Sequence, residues 1–295
     1  MNRIFLTLCL LPQLAVATPP ANITLLEKGE APHRALKLEP PKGLSTTLRI
    51  EVMQSVTQQT GDRLDVTKMP RIQFDGVLEL KASKGPYLTY TITFTTVRVM
   101  KTKDMEKGTD RALKAKWKQL LGMTYNAKVT VHGHLVDAKL TLPTRPHPAI
   151  KTPLQSFQQT LREMHIPIPA KPVGVGARWQ IESIVTVNGV AMKRIQTWSL
   201  KRMGRSMVLI GQSEESANPK SVELGELPEG MRAEVQKVGG SASNTVRLSR
   251  RHLLPSSWKQ EAKHHLNLKG QIGESQFETN TVVESKMRLT LNPKK

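Results

Sequence analysis

Apolar and polar residues alternate with a period of two along most of this chain. From Arg71 to Lys81, every even-numbered position is apolar or glycine, and the odd-numbered positions are mostly polar. The same alternation recurs at 48–52, 87–94 and 277–291. Strands with one apolar and one polar face are typical of an antiparallel sheet that is covered on one side only. The pattern therefore predicts a mainly β fold.

Turn motifs stand between these β-like stretches. Asn188-Gly189 is the strongest of them, because a type I′ hairpin turn needs positive φ at both central positions. Met203-Gly204-Arg205 and Gly239-Gly240 predict two further chain reversals. A hairpin is also expected from about Thr124 to Leu142, with a weaker turn signal at His132-Gly133.

Two segments have helical periodicity instead. One helix is predicted at 106–121 and a second at 152–164, each with the narrow apolar stripe of a helix that lies across a sheet. The stripes comprise Leu113, Trp117, Leu120 and Leu121 in the first helix and Leu154, Phe157, Leu161 and Met164 in the second. The expected fold class is α+β, mainly β: one or more curved antiparallel sheets with two helices packed on the apolar face.

The segment His165–Trp179, HIPIPAKPVGVGARW, has two closely spaced glycines that suggest a phosphate-binding loop. Phosphate loops of the Rossmann and P-loop kinds open a helix, whose N-terminal amides then bind the anion. Here the glycines are followed by the β-like stretch 179–185, and no Lys-Ser/Thr pair follows them. We therefore interpret Gly174 and Gly176 as positions where an extended linker packs closely before a second set of strands.

The first residues have the features of a signal peptide. Arg3 precedes an apolar core, and Ala15-Val16-Ala17 matches a signal-peptidase site. The apolar run is shorter than the roughly 20 residues of a membrane-spanning helix, which is the alternative. We expect cleavage after Ala17 and a periplasmic or extracellular location. Cys9, the only cysteine, would be removed, which excludes disulfides and thiolate metal sites from the mature chain.

These observations divide the chain into five segments. The expected bounds are 1–17 for the signal peptide, 18–44 for an extended segment, 45–142 for a first β-rich half that contains helix 106–121, 143–175 for a helix and Pro-rich linker, and 176–295 for a second β-rich half.

Basic residues outnumber acidic ones, with 44 Lys+Arg against 24 Asp+Glu and a net charge of +20. Such a field attracts anions, so we expect an anionic envelope component or a lipid as partner. Nucleic acid is disfavoured, because the basic residues are spread over the chain and aromatic residues make up only 4%. A basic surface without a dedicated partner is the remaining alternative. No other segment is apolar enough for an integral membrane protein.

Catalytic and metal-binding motifs are absent from the sequence, which has no G-x-S-x-G, H-E-x-x-H or Walker motif. His132 and His134 are the best metal candidates, but they flank a predicted turn and have only Asp137 nearby, whereas zinc needs three or four ligands. His264 and His265 would point to opposite faces of a strand. We therefore predict a non-catalytic protein with no cofactor and no metal.

The stretch Pro172–Trp179, PVGVGARW, carries a family resemblance. With the strand, the Asn188-Gly189 hairpin and the second strand that follow it, it resembles a family of secreted bacterial proteins. Their members typically show lP-x-x-P-V-G-V-G-A-x-W near mid-chain and begin with a signal peptide or lipobox. A late block, Gly239-Gly240 through Leu253-Leu254-Pro255, also fits. The family has no assigned activity, so the resemblance implies an architecture and a bacterial envelope location. The layout is also similar to that of periplasmic lipoprotein and lipid carriers (LolA-like), as an analogy only.

Two functional hypotheses follow. The first is an envelope protein that binds a lipid or acyl chain in an apolar groove. Its candidate groove-lining residues are Leu113, Trp117, Leu121, Phe157 and Leu161. The second is a structural or adaptor protein that binds an anionic envelope polymer or a protein partner through its basic surface. A cavity of several hundred Å³ would favour the first, whereas apolar faces that fill each other would leave only surface binding.

Overall fold

The computed structural model describes residues 22–100, 115, 117–143, 151–187, 190–219 and 231–292. Within these ranges it contains thirteen strands and one helix whose full extent is described. The strands are β1 (Asn22–Glu27), β2 (Ser45–Thr60), β3 (Arg63–Lys68), β4 (Arg71–Lys84), β5 (Tyr87–Met100), β6 (Thr124–Thr130), β7 (Leu135–Thr141), β8 (Arg178–Val187), β9 (Val190–Arg202), β10 (Met207–Ser216), β11 (Met231–Leu248), β12 (Ser257–Ile272) and β13 (Ser275–Leu291), and the helix is α1 (Lys151–Glu163).

All strands belong to one antiparallel sheet, which confirms the mainly β prediction. Its order is β1-β8-β9-β10-β11-β12-β13-β2-β4-β5-β6-β7, with β3 paired to β2. The two predicted β-rich halves meet where β13 pairs with β2, from Leu291 opposite Leu48 to Thr279 opposite Thr60. The predicted segment bounds stay predictions, and the signal peptide lies outside the described residues.

The sheet is strongly curved, because short chain segments connect strands that are far apart in its order. Ile168 donates to the His132 carbonyl beside β6, and Gly176 donates to the Leu200 carbonyl in β9. Eight strand spacings separate β6 from β9 in the sheet order, about 38 Å if the sheet were flat. The chain from 168 to 176 reaches at most about 28 Å. The sheet must therefore bend around a common interior, and we call the face towards that interior the inner face.

The apolar faces of the strands meet in one core on the inner face. In β13, Met287, Leu289 and Leu291 are buried, whereas Arg288 between them is exposed. The largest fully buried side chains come from both predicted halves and include Trp179, Trp198, Trp258, Tyr90, Tyr125, Phe74 and Phe94. The two-residue alternation of the sequence thus gives the sheet one buried face and one solvent-exposed face.

The expectation of two helices is matched only in part. The helix predicted at 152–164 is α1, at Lys151–Glu163. For the helix predicted at 106–121, residues 106–114 and 116 lie outside the described residues. The described remainder is helical only as far as Lys118. Beyond it, the amides of Leu120 and Leu121 bond to carbonyls three residues back, and Gly122 donates to Phe94 of β5. The chain therefore leaves the helix to join the sheet before Leu121.

The chain reversal predicted at Gly239-Gly240 is wrong, because both glycines lie inside β11. Their role is to make room. A Cβ on Gly239 would lie 2.9 Å from the Glu215 carbonyl oxygen, and one on Gly240 would lie 2.4 Å from the His264 ring. By contrast, the predicted reversal at 203–205 is confirmed between β9 and β10. Val187 pairs with Val190 on either side of 188–189, which lie outside the described residues.

The PVGVGARW segment packs closely on another chain segment, as predicted. A Cβ on Gly174 would lie 1.6 Å from the Glu30 carbonyl oxygen, so only glycine fits there. The Gly174 amide donates to Lys28 at 2.8 Å, and the Glu30 amide donates to Val175 at 2.7 Å. The segment then enters β8 rather than a helix. Its amides are engaged with backbone carbonyls, which explains the two glycines without a phosphate.

Candidate functional site

The predicted groove-lining residues differ in how far they are buried. Trp117, Phe157 and Leu161 are buried, with exposed fractions of 5%, 4% and 0%. Leu121 is 41% exposed and is not part of this buried set. Leu113 lies outside the described residues. The two largest residues of the set, Trp117 and Phe157, are therefore both buried.

The buried rings fill the space between α1 and the sheet. Phe157 stacks on Phe74 with ring centroids 4.0 Å apart and an interplanar angle of 18°. It also meets the edge of Phe94 at 5.5 Å, and Trp117 meets Phe74 at 5.8 Å. These separations are direct aromatic contacts. In the described part of this interface, the side chains therefore act as core.

A buried Tyr–His pair lies at the end of α1. The Tyr90 hydroxyl donates to Nε2 of His165, whose Nδ1–H donates to the Arg162 carbonyl at 2.9 Å. This arrangement holds His165 in one neutral tautomer. Burial lowers the pKa of His165 to about 4 and raises that of Tyr90. Neither group is charged at neutral pH, so the pair is a structural device.

The inner face becomes polar beyond the core, where it carries an ionised cluster. Arg194 on β9 donates through Nε and Nη2 to Oε1 of Glu215 on β10, each at 2.6 Å. His264 on β12 contacts the other carboxylate oxygen, Oε2, through Nε2 at 2.9 Å. The Glu215 side chain is only 1% exposed. Both of its oxygens are therefore paired, as a buried carboxylate requires.

His264 reaches Glu215 across an intervening strand. In the sheet register, Glu215 pairs with Gly240 and Gly240 pairs with His264. The His264 ring lies over Gly240, where any side chain would collide with it. His265, the next residue, has its ring against Gly239. The two histidines thus point to opposite faces, as predicted, and only His264 belongs to the cluster.

The cluster also binds the C-terminal end of α1. Arg194 Nη1 lies 2.9 Å from Oε1 of Glu163, the last residue of the helix, and Gln159 donates to the same oxygen at 2.9 Å. Burial by itself raises the pKa of Glu215, but the hydrogen bond from His264 and the charge of Arg194 outweigh it, so the pKa is lowered. Both carboxylates thus balance the charge of one buried guanidinium.

Two buried N–H donors on the same inner face have no acceptor among the described residues. They are Nε1 of Trp198 and Nδ2 of Asn244, on side chains that are 1% and 2% exposed. Both residues pair with Gly211, so they lie on either side of it on one face. The Trp198 ring occupies the space over Gly211. This part of the face therefore has more donors than acceptors.

Metal sites do not emerge among the described residues, where no group of three or more His, Cys, Asp or Glu side chains could hold an ion. Gly133, between His132 and His134, has φ of +76°, as a turn requires. His132 is engaged through Nδ1 with the Leu36 carbonyl at 3.1 Å. A surface depression of about 210 Å³ between the β2–β3 turn and β13 is lined by Gln59, Gly61, Glu278 and Asn280. It carries no histidine and no cation.

Basic residues concentrate at one end of the sheet, which we call the basic end. It is formed by 28–42, 171–178, 201–205 and 247–251, which hold twelve Lys and Arg residues against two Glu residues. Backbone hydrogen bonds join three of these segments, from Gly174 to Lys28, from Arg34 to Val173 and from Glu39 to Arg250. All twelve basic residues are exposed: Lys28, Arg34, Lys37, Lys42, Lys171, Arg178, Lys201, Arg202, Arg205, Arg247, Arg250 and Arg251.

Most of this charge is not neutralised. Arg178 pairs with Glu27, and Arg250 pairs with Glu39. The other ten basic side chains form no ion pair within the described part of the chain. Elsewhere on the sheet, lysines face carboxylates, as in Lys263–Glu284 and Lys286–Glu261. In the sequence the basic residues are spread over the chain, because the four segments are far apart. Only the fold brings these segments together.

The comparisons with known proteins do not assign a family. The chain matches no protein-family model and no curated protein. A solved structure to which it has some similarity is that of Pseudomonas aeruginosa OccK11 (OpdR), with 8% sequence identity over 87% of this chain and 100% of that chain. The TM-score of 0.16 is too low to carry any argument. In the described ranges, no helix has the length and apolarity to cross a membrane. The resemblances described above stay predictions.

Proposed function

We propose that this chain is a non-catalytic, secreted protein of the bacterial envelope that binds an anionic envelope polymer through its basic end. The observation that carries the proposal is the set of ten exposed, unpaired basic side chains on four segments. Backbone hydrogen bonds join three of these segments, and the fourth is the β9–β10 turn, where Met207 pairs with Leu248. Their like charges repel one another, and an anionic partner relieves that repulsion.

The basic end favours this proposal over a carrier with a groove under α1. The candidate groove residues Trp117 and Phe157 are in ring contact with Phe74, and those contacts would have to open before an acyl chain could enter. The basic end needs no rearrangement, because its cations already face solvent. Surface polymers such as lipopolysaccharide carry repeated phosphate groups, and an array of separate cations suits such a repeated charge.

Electrostatic binding of this kind has a defined salt dependence. Exposed charges are screened over about 8 Å at physiological ionic strength and over about 3 Å at 1 M salt. Each ligand phosphate would contact several lysine and arginine side chains weakly, so the array supplies the affinity rather than any single residue. The expected signature is strong binding at low salt that is lost as salt is added.

The test is binding of purified lipopolysaccharide, measured by sedimentation, to the wild type and to the triple variant Lys201→Gln, Arg202→Gln, Arg205→Gln. These residues lie at the β9–β10 turn and are exposed. The matched control removes three exposed lysines elsewhere, with Lys84→Gln, Lys139→Gln and Lys269→Gln. Both variants lose three positive charges, at the basic end in the first and elsewhere on the sheet in the control. We expect the first to bind at least roughly tenfold more weakly and the control to lose much less.

Equal losses in the two triple variants would show that net charge alone attracts the polymer, and would refute a localised site. Binding that survives 1 M salt would refute the electrostatic basis. Binding of duplex DNA as tightly as lipopolysaccharide would point to nucleic acid and contradict the proposal.

A further inference from the structure

Arg194 occupies an unusual position for a guanidinium, because it lies on the inner face of the sheet with a side chain only 12% exposed. We propose that Arg194 is a binding site for the carboxylate of an organic acid, and that Glu163 is a built-in competitor for that site. This site is separate from the basic end and does not depend on its function.

The two carboxylates on Arg194 are not equivalent. Glu215 accepts hydrogen bonds from Nε and Nη2 of Arg194 and is almost fully enclosed, with a side chain 1% exposed. Glu163 takes only Nη1, and its side chain is 18% exposed. Glu215 also has His264 as a second partner, which fixes it further. Glu215 is thus a permanent counter-ion, whereas Glu163 holds the outward-facing edge of the guanidinium, which an incoming carboxylate could take over.

Glu163 stands where a helix disfavours negative charge. It is the last residue of α1, and the C-terminal end of a helix carries partial negative charge from its free carbonyls. A carboxylate there is stabilised only by what it contacts, which is Arg194 and Gln159. Local conflicts of this kind are expected at functional positions rather than at purely structural ones.

The surrounding face is suited to a ligand that joins a carboxylate to an apolar part. Trp198, four residues along β9 from Arg194 and therefore on the same face, has an unpaired buried N–H, as does Asn244. Trp198 lies about 13 Å along the strand from Arg194. Met192 and Val185 pair with each other two register positions from Arg194, on the same face, and are buried. The face thus offers a cation, apolar contacts and spare donors.

Carboxylate is the chemistry that these observations favour. The position in question already holds one carboxylate oxygen at 2.9 Å from Arg194 Nη1, in the geometry of a charge-assisted hydrogen bond. The apolar side chains of Met192 and Val185 favour an acid with a hydrocarbon tail over a small polar acid. Octanoate is a suitable probe, and octanol is its uncharged counterpart.

The experiment compares octanoate binding by calorimetry in the wild type and in Glu163→Gln. Glutamine has the same shape and lacks the charge, so Arg194 is freed. We expect octanoate to bind about tenfold more tightly to the variant, because one charge-assisted competitor has been removed. Glu214→Gln is the matched control, because Glu214 is exposed on the opposite face of the same strand as Glu215. Its octanoate affinity should equal that of the wild type.

Arg194 itself is tested in the Glu163→Gln background. Arg194→Lys keeps the charge but not the planar fork, and it should abolish the gain. Equal affinity of Glu163→Gln and Glu214→Gln for octanoate would overturn the proposal, and so would equal binding of octanol and octanoate. We expect the substitutions of Lys201, Arg202 and Arg205 to leave the affinity for octanoate unchanged. That result would separate this site from the basic end.

A second measurement uses only the wild type, so it does not depend on whether the variants fold. In the wild type, octanoate should speed amide hydrogen exchange in the last turn of α1, because Glu163 loses its partner when the ligand binds. Exchange at that turn that is unchanged at saturating octanoate would overturn the proposal.

Discussion

Two regions of the inner face are stabilised in opposite ways. Beneath α1, Phe157 and Trp117 each contact the Phe74 ring, and such apolar contacts need no particular partner. Further along the same face, Arg194 and Glu215 are held by specific charge-assisted hydrogen bonds. Burial of apolar rings stabilises the fold in proportion to their area, whereas a buried ion pair roughly offsets its own desolvation. The aromatic rings beneath α1 therefore stabilise the fold, whereas the Arg194–Glu215 cluster fixes the relative positions of its side chains.

This difference explains where function is expected. An aromatic core tolerates substitution by residues of similar volume. A buried ionised cluster cannot lose one partner without leaving an uncompensated charge. Such a cluster is seldom the most stable solution, so its presence in a sheet with a sufficient apolar core favours a role beyond stability.

The largest expected effect is in the aromatic region. Trp117→Ala should lower the free energy of unfolding by about 3–5 kcal/mol, because it removes a buried ring and leaves a cavity against Phe74. Urea unfolding followed by circular dichroism measures the change. Leu121→Ala is the control, because its side chain is 41% exposed, and it should cost less than about 1 kcal/mol.

The same variant tests the groove hypothesis. A loss of well under 2 kcal/mol on Trp117→Ala, accompanied by weaker uptake of an acyl chain, would restore the carrier and contradict the interpretation of Trp117 as core. A large loss with no ligand phenotype would end the carrier hypothesis at this position.

Acid should weaken the buried Tyr90–His165 pair and the Arg194–Glu215 cluster over different pH ranges. The buried His165 has a pKa of about 4 in the folded chain against 6.5 for a free histidine, so the unfolded state binds the proton more readily between these values. Stability is complete above pH 6.5 and falls by about 3 kcal/mol as the pH drops to 4. Glu215, whose pKa is lowered from 4.5, contributes stability above that value and loses it only at lower pH.

Urea midpoints between pH 7.5 and 3.5 separate the two contributions. The double variant Tyr90→Phe, His165→Phe removes both members of the buried pair together, so that only the Arg162 carbonyl loses its partner. Its stability should fall much less than that of the wild type from pH 6.5 to about 4.5, because only His134, His252 and His265, whose pKa values burial also lowers, still lose stability there. A slope in that range equal to that of the wild type would show that another group, and not His165, carries the acid sensitivity.

Much of the fold could be predicted from the sequence because it follows from local patterns. The alternation at 71–81 and 277–291 gave β4 and β13 with their correct inner faces, and the helical stripe around Phe157 gave α1. Gly239-Gly240 was misread, because a glycine pair signals a turn unless one knows what lies beside it. Gly240 admits the ring of His264 and Gly239 that of His265, both on another strand. That contact depends on strand register, which no local pattern contains.

The candidate sites were harder to predict for the same reason. Glu163, Arg194, Glu215 and His264 are far apart in sequence and meet only through the pairing of β9 to β12. One signal was present: Arg194 falls on the same parity as Met192, Trp198 and Leu200, so it is a charge on a mostly apolar face. A charged residue at an inward position of an alternating strand therefore indicates a buried partner elsewhere.

The smallest expected effect concerns the glycine beneath the cluster. Gly240→Ala places a methyl group about where the His264 ring now lies, 2.4 Å from its Cδ2 atom, so the ring must move and its contact with Glu215 is lost. We expect a loss of about 1–3 kcal/mol in urea unfolding. Gly204→Ala is the matched control, because its Cβ would have no neighbour closer than 4.0 Å. His264→Gln in the Gly240→Ala background should cost little more, since the contact is already broken. Additive losses for the two substitutions would show that Gly240 acts on something other than His264, and would separate the glycine from the cluster.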